Sequence, residues 1–167
     1  PAYNIISTIK GSENEKIIIT AHYDHLGLSK SGIYYGADDN ASGVAAMLEL
    51  ARVFKENGIQ KQLVFIAFSC EEIGLLGSKY FVDNPPFQLN DVVAVVNLDM
   101  VGRLRKKELT INGSKSNELR NIISGISQND FVINFDSPDQ EQSDHASFSK
   151  KGVPAIHLFT NVHPEYH

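Results

Sequence analysis

Two aspartates stand side by side in the segment GADDNASG, residues 36 to 43, and an asparagine and a serine follow them. Asp, Asn and Ser side chains often cap a helix, because their oxygens accept hydrogen bonds from the free N–H groups of the first turn. One cap needs only one such residue. The pattern therefore leaves the second carboxylate of this pair available for another purpose.

More acidic and histidine residues follow directly after apolar segments of the sequence. The carboxyl ends of strands in an α/β sheet open into a crevice where ligands bind, so we expect these side chains to share one face. Imidazole and carboxylate groups bind divalent cations, and a catalytic zinc site keeps one position open for water. The candidate residues are His22, Asp24, Asp38, Glu71, Glu72 and Asp99.

A pair of metal ions about 3.5–4 Å apart needs a carboxylate that bridges them, and Asp38 is our candidate for this bridge. The neighbouring residues Glu71 and Glu72 would then divide the work, one binding a metal and the other moving a proton. Taken alone, that pair also fits two solvated glutamates at a helix N-terminus, which the helix dipole favours.

Short apolar segments rich in β-branched residues alternate with helical patterns, which is typical of an α/β sheet with helices on its faces. No internal boundary divides the 167 residues, so the sequence predicts a single domain over residues 1–167. The predicted strands are residues 3–9, 16–23, 62–69, 92–99, 108–112 and 153–159, and the predicted helices are 40–57, 74–83, 116–129 and 143–151.

The composition excludes several classes of protein. A net charge of -5 argues against a nucleic acid or an anionic membrane as partner and suits a substrate that carries an amine. The single cysteine, Cys70, forms no internal disulfide, and no apolar segment approaches the ~20 residues of a membrane span. The first residues, PAYNIISTIKG, contain neither an initiator Met nor a signal peptide, so we expect a processed or excised domain.

Six motifs together resemble the dizinc aminopeptidase family, the bacterial leucyl-aminopeptidase type of zinc exopeptidase. This family is related to glutamate carboxypeptidase, glutaminyl cyclase and the transferrin receptor ectodomain. The resemblance implies a three-layer α/β/α fold around a mixed, mostly parallel sheet. The motifs run almost from end to end in family order: HYDHLG, GADDNASG, FSCEEIGLLGS, NLDMVGR, SDHASF and HPEYH.

The resemblance also implies a role for each candidate residue. His22 and Asp99 would bind one zinc ion, Glu72 and His167 the other, and Asp38 would bridge the two ions. Two zinc ions, these three carboxylates and one hydroxide would form a neutral cluster that tolerates burial. The family positions further imply that Asp24 orients the imidazole of His22, that Glu71 is the general acid/base, and that Asp39 is reached through a cis peptide bond.

The activity implied is hydrolysis of the peptide bond after the N-terminal residue of a peptide with a free amine. The resemblance also implies a preference for an apolar N-terminal residue. The resemblance implies an exported protein, either periplasmic, secreted or a membrane-attached ectodomain. Family domains continue past the last ligand through a Thr-x-x-Asp segment and a helix. We therefore expect a longer natural protein, and weak binding of the second zinc where the chain ends at His167.

Other residues and other activities receive less support from the sequence. Asp144 and His145 resemble a motif on the substrate side, whereas His25, His157 and His163 match no ligand position, and Arg103 has no assigned function. The alternatives are a glutaminyl cyclase-like acyltransferase with one zinc, a non-catalytic binding domain on the same fold, and a cysteine hydrolase built on Cys70.

Overall fold

The computed structural model describes residues 1–30, 32–113, 117–126, 131–135 and 142–166. Short helical turns at Ala37–Ser42 and Leu89–Asp91 accompany the longer helices. The described strands are β1 Ile5–Ile9, β2 Lys16–His22, β3 Gly27–Ser29, β4 Gly32–Tyr34, β5 Gln62–Phe68, β6 Val92–Leu98, β7 Glu108–Gly113, β8 Val132–Phe135 and β9 Ala155–Phe159. The helices are α1 Gly43–Asn57, α2 Leu76–Asp83, α3 Asn117–Ser124 and α4 His145–Ser149.

The central sheet has seven strands in the order β1-β5-β2-β6-β9-β7-β8. Its four middle strands, β5, β2, β6 and β9, are mutually parallel, and β1 and β7 pair antiparallel with their neighbours. The sheet is therefore mixed and mostly parallel, as expected. The apolar residues along β2 and β5 are buried because both faces of such a sheet are covered.

Helices cover both faces of the sheet. On one face α1 packs through Met47 against Ile19 and Leu98, and α3 packs through Ile123 farther along. On the other face α2 and α4 surround Phe68, whose ring centroid lies 5.9 Å from Phe81 and 6.1 Å from Phe148. These three layers confirm the α/β/α architecture.

All six predicted strands are present within one or two residues of their expected ends. Helix α1 begins at Gly43, later than predicted, because Asp39 and Asn40 adopt non-helical dihedral angles. Part of the predicted helix 116–129 lies outside the described residues, which place α3 at Asn117–Ser124. The sequence missed β8 and the separate hairpin of β3 and β4. Within the described ranges, every helix is too short or too polar to cross a membrane.

Candidate metal centre

His22 is the last residue of β2 and is buried at the carboxyl end of the parallel strands. Its Nδ1 lies 3.1 Å from the carbonyl oxygen of Asp24, and its Nε2 lies 3.0 Å from Oδ1 of Asp39 and 3.3 Å from Oδ1 of Asp99. Burial opposes protonation of the ring, but the hydrogen bonds to the two carboxylates outweigh it and raise the pKa of His22 to about 12.

Asp99 follows β6 and is held by a directional chain of buried hydrogen bonds. Thr20 donates its hydroxyl proton to Oδ1 of Asn97 at 2.7 Å, which turns the amide so that Nδ2 donates to Oγ of Ser143 at 2.8 Å. Ser143 must then donate its own proton to Oδ2 of Asp99, at 2.7 Å. The chain fixes the carboxylate of Asp99 and leaves Oδ1 facing His22.

Asp39, and not Asp38, joins His22 and Asp99 in the cluster. Ligand atoms of His22, Asp39 and Asp99 all lie within 4.8 Å of one another, and Asp39 belongs to a second such group with His25 and Glu72. Asp38, the bridge predicted from the sequence, belongs to none of the described groups, and Asp39 takes its place as the candidate bridge. The cis peptide bond likewise lies one residue later than expected, between Asp39 and Asn40.

Asp38 directs its carboxylate away from this cluster. Its Oδ1 accepts the backbone N–H of Gly102 at 2.8 Å, and its Oδ2 lies 2.9 Å from Nε2 of His163. Oδ1 of Asn40 accepts the backbone N–H of Gly43, the first residue of α1, at 3.0 Å, although the N-cap position itself is Ser42. The double aspartate of the motif thus divides between the candidate metal site and a protein contact.

Glu71 and Glu72 follow β5 and are positioned by Asp24. The two carboxylate oxygens of Asp24 accept the backbone N–H groups of Glu71 at 3.1 Å and Glu72 at 3.4 Å. The same carboxylate lies 3.8 Å from Nδ1 of His22, beyond hydrogen-bond distance, so the carbonyl oxygen of Asp24 orients the ring instead. Asp24 therefore ties the ends of β2 and β5 together.

His25 is a residue of the cluster that the sequence interpretation set aside. Its Nδ1 lies 2.7 Å from Oε1 of Glu72, and both side chains are largely buried. A histidine three residues after His22, at the same strand end, could have been included on position alone. Its place in a group with Asp39 and Glu72 makes it a candidate ligand.

The composition of the cluster fits divalent cations. Four carboxylates, Asp39, Glu71, Glu72 and Asp99, surround His22 in overlapping groups whose ligand atoms lie within 4.8 Å of one another. Burial raises the pKa of Glu71 to about 8, with Asp99 and Asp144 adding to the effect and His22 opposing it. Without cations, protons on His22 and Glu71 reduce the negative charge of the cluster but do not cancel it, because Asp39, Glu72 and Asp99 remain opposite a single imidazolium.

Two cavities meet at the cluster, and Asp39 and Tyr166 line both. One has a volume of about 560 Å³ and contains Glu71, Glu72 and Asp99 together with apolar walls from Met100, Phe159 and Val162. The other, of about 490 Å³, lies beneath β4 and contains His25, Asp38, Arg103, His163 and Glu165. A ligand at the cluster can thus extend in two directions.

The remaining sequence-predicted residues lie elsewhere. Asp144 and His145 are buried at the start of α4, and neither is among the described residues that line the two cavities. Burial raises the pKa of Asp144 to about 7. Cys70 lines a separate cavity of about 650 Å³, and no histidine is among the described residues of its walls. His167 lies outside the described residues.

The model of Peptidase family M28 matches residues 4–167. The chain belongs to this family. Aminopeptidase YwaD of Bacillus subtilis (strain 168) is 37% identical to this M28 chain, over 98% of the chain and 38% of the relative. Leupeptin-inactivating enzyme 1 of Streptomyces exfoliatus is 31% identical, over 96% of the chain and 36% of the relative.

A solved structure shares the fold of this M28 chain closely. The aminopeptidase from Aneurinibacillus sp. strain AM-1 superposes with a TM-score of 0.84 at 34% identity, over 98% of this chain and 40% of that one. The chain therefore spans about 36–40% of the length of these relatives.

Proposed function

We propose that the protein is a zinc aminopeptidase that removes the N-terminal residue of peptides, with two zinc ions and with Glu71 as general acid/base. The observation that carries the proposal is that Asp39 belongs to two groups of candidate ligands at once, beside Glu71 in an open cavity. A carboxylate shared in this way is what a two-ion site requires. Membership of Peptidase family M28 and the relatives named aminopeptidase support the same activity.

The chain offers a ligand set for each ion. His22 and Asp99 would hold one zinc ion and Glu72 the other, with Asp39 between them. His25 and the predicted ligand His167 are the candidates to complete the second set. Two zinc ions carry four positive charges against three from these carboxylates, so metal binding would replace the protons that His22 and Glu71 otherwise hold.

The chemistry is hydrolysis of a peptide bond. Zinc would supply a Lewis acid that polarises the scissile carbonyl and lowers the pKa of water. Glu71 takes a proton from the attacking water and later delivers it to the amine that leaves. Asp24 supports this role, because it holds the backbone N–H of Glu71 and keeps the carboxylate in the cavity.

The two cavities suggest how a peptide would bind. The cavity of about 560 Å³ has apolar walls at Met100, Phe159 and Val162, which suit an apolar first side chain. The free α-amine would lie against the acidic cluster, and the rest of the peptide would leave through the cavity beneath β4. By the family analogy, we further propose that the protein acts outside the cytoplasm.

The decisive experiment combines metal analysis with a substrate panel. Purified protein is measured for zinc and is then assayed on a series of aminoacyl-nitroanilides, with and without a chelator, and after thiol alkylation. We expect about two zinc ions per chain, release of nitroaniline that the chelator abolishes, and no effect of alkylation. Absence of chelator-sensitive release from every substrate would contradict the proposal.

The same preparation separates the two alternatives on this fold. A peptide with N-terminal glutamine distinguishes hydrolysis, which frees glutamine, from cyclisation, which leaves a blocked product and loses ammonia. A binding domain without catalysis would change none of the substrates. We expect free N-terminal amino acids as the only product.

A further inference from the structure

Arg103 is the one arginine or lysine side chain among the described residues that line the two cavities at the cluster. It follows β6 in the segment that also carries Asp99, and its backbone N–H donates to Oγ1 of Thr160 at 3.3 Å. The other ionisable groups of these walls are carboxylates, imidazoles and tyrosine hydroxyls. Within the described walls, a ligand beneath β4 therefore meets one permanent positive charge, to which the sequence assigned no function.

The guanidinium group of Arg103 is only partly engaged by the protein. Its Nη1 donates to Oε2 of Glu165 at 2.6 Å, and the two side chains are 41% and 63% exposed. Across the described ranges this is the one acceptor that contacts the group, although a guanidinium carries five N–H donors. Ion pairs with this exposure add little to stability, so the pair can open toward a ligand at small cost.

Glu165 keeps a second contact when Arg103 turns to a ligand. The same Oε2 lies 3.3 Å from Nδ1 of His163, a ring that is almost closed to solvent. Nε2 of this ring lies 2.9 Å from Oδ2 of Asp38, whose other oxygen accepts the backbone N–H of Gly102 at 2.8 Å. Asp38 and Glu165 therefore both have a contact other than Arg103, whereas the guanidinium retains N–H donors for a ligand.

The walls of this cavity combine groups of opposite charge. Asp39 belongs to the acidic cluster that would receive the α-amine of a peptide, and Arg103 lines the same cavity through which the rest of the peptide would leave. The positive charge continues along the sequence in Arg105, Lys106 and Lys107, which are all exposed, although the chain as a whole carries a net charge of -5. A peptide with a carboxylate beyond its scissile bond would complement this arrangement.

We propose that Arg103 determines specificity on the leaving-group side, by binding a carboxylate of the residue that follows the scissile bond. The planar guanidinium fork matches a carboxylate through two parallel hydrogen bonds. That carboxylate is either the C-terminus of a dipeptide or the side chain of an acidic second residue, and both present the same group. The inference rests on the proposed function, which supplies the orientation of the peptide.

The experiment compares kcat/KM within two pairs of peptides whose members differ by one carboxylate. Leucyl-glycine and its amide test a C-terminal carboxylate, whereas leucyl-aspartate α-amide and leucyl-asparagine α-amide test a side-chain carboxylate. We expect the zinc-loaded wild-type protein to prefer the carboxylate in at least one pair by about 5-fold, the upper value for an exposed ion pair. The pair that shows the preference identifies the source of the carboxylate.

Substitutions on the two sides of the ion pair should change this preference in opposite directions. Arg103→Gln should remove it, and Arg103→Lys, which keeps the charge without the fork, should retain part of it. Glu165→Gln should increase it, because the variant loses the carboxylate that competes for the guanidinium. A purely structural ion pair would instead make Arg103→Gln and Glu165→Gln change the preference alike.

Two further measurements make the result specific. Arg52→Gln makes the same chemical change at an exposed pair on α1, where N and O of Arg52 and Glu49 are 2.6 Å apart, and should leave the preference unchanged. In the Glu71→Gln background, which should turn over slowly, calorimetric dissociation constants should differ within the same pair of peptides and by a similar factor. Binding thereby tests Arg103 without depending on the rate.

Equal kcat/KM values within both pairs, or a change of preference in the same direction in Arg103→Gln and Glu165→Gln, would overturn the inference. Failure of the proposed function has a different signature, since the wild-type protein would then hydrolyse none of the four peptides and none of the nitroanilides. That result would overturn both.

Discussion

Nε2 of His22 lies 3.0 Å from Oδ1 of Asp39, at the junction of β2 with the turn before α1. This contact joins the carboxyl end of a central strand to the double-aspartate motif, and it decides which of the two aspartates faces the candidate metal site. Asp38, the neighbouring residue, contacts Gly102 and His163 instead. The two carboxylates therefore have different consequences on substitution.

On the two-zinc proposal, Asp39→Asn should abolish binding of both ions, because a neutral amide replaces the carboxylate that joins the group of His22 and Asp99 to the group of His25 and Glu72. We expect affinity to fall by more than the roughly 100-fold caused by loss of an outer partner. Zinc content after dialysis and rate on an aminoacyl-nitroanilide measure this directly. Asp38→Asn is the matched comparison and should retain zinc, because Asp38 belongs to none of the described groups of candidate ligands. Equal loss in the two variants would contradict the assignment.

Glu71→Gln should retain zinc and lose activity. The amide has the same shape but accepts no proton from water, and general acid/base groups contribute about 10²- to 10⁴-fold to the rate. We expect kcat to fall within this range while the zinc content stays at the wild-type value. The neighbouring change Glu72→Gln should instead lower zinc content. Normal turnover by Glu71→Gln would show that another group moves the proton.

Ser143→Ala should weaken zinc binding without touching a ligand. The change removes the only hydroxyl donor that the described structure gives to Oδ2 of Asp99 and leaves Nδ2 of Asn97 without its partner. An effect of about 10- to 100-fold on affinity is expected. Ser147→Ala removes another buried hydroxyl, which pairs with Ser78 at 2.8 Å, and serves as the control. Similar zinc affinities in the two variants would argue against the hydrogen-bond chain.

Asp144→Asn should make the metal-free protein less sensitive to alkaline pH. The carboxyl has a pKa of about 7 in the folded chain against 3.8 as its model value, because burial disfavours the charged form. Stability from this group is fully present below pH 3.8 and is lost as the pH rises toward 7. Urea unfolding at pH 5 and pH 8 should therefore differ less in the variant, by roughly 2 kcal/mol. An unchanged difference would mean that burial does not raise the pKa of Asp144.

The strands of the sheet were predictable because their apolar residues form continuous segments. β5 is buried from Leu63 to Ile66, and a strand covered on both faces needs only apolar side chains there. The missed strands lack this signal. In the β3–β4 hairpin, Leu28 is 82% exposed and Ile33 is 59% exposed, so no core selects their pattern. β8 is a four-residue edge strand whose burial alternates without a fully buried position.

The candidate site was predictable as a region and less so as a set of atoms. The polar residues that follow β2, β5 and β6 do converge, because parallel strands end at one edge of the sheet. Backbone dihedral angles determine whether Asp38 or Asp39 faces the candidate metal site. Two identical neighbouring side chains give no sequence signal that distinguishes them. His25 matches no ligand position of the resembled family, and its proximity to Glu72 arises from the pairing of β2 with β5, which the sequence does not state.

The order of strands in the sheet determines when, during folding, the candidate ligands come together. His22, Glu72 and Asp99 are carried by β2, β5 and β6, which are adjacent in the sheet yet separated by long stretches of chain. A nascent polypeptide therefore holds no complete set of ligands until its central strands have assembled. Binding of a cation would then stabilise the sheet after it has formed, rather than nucleate its folding.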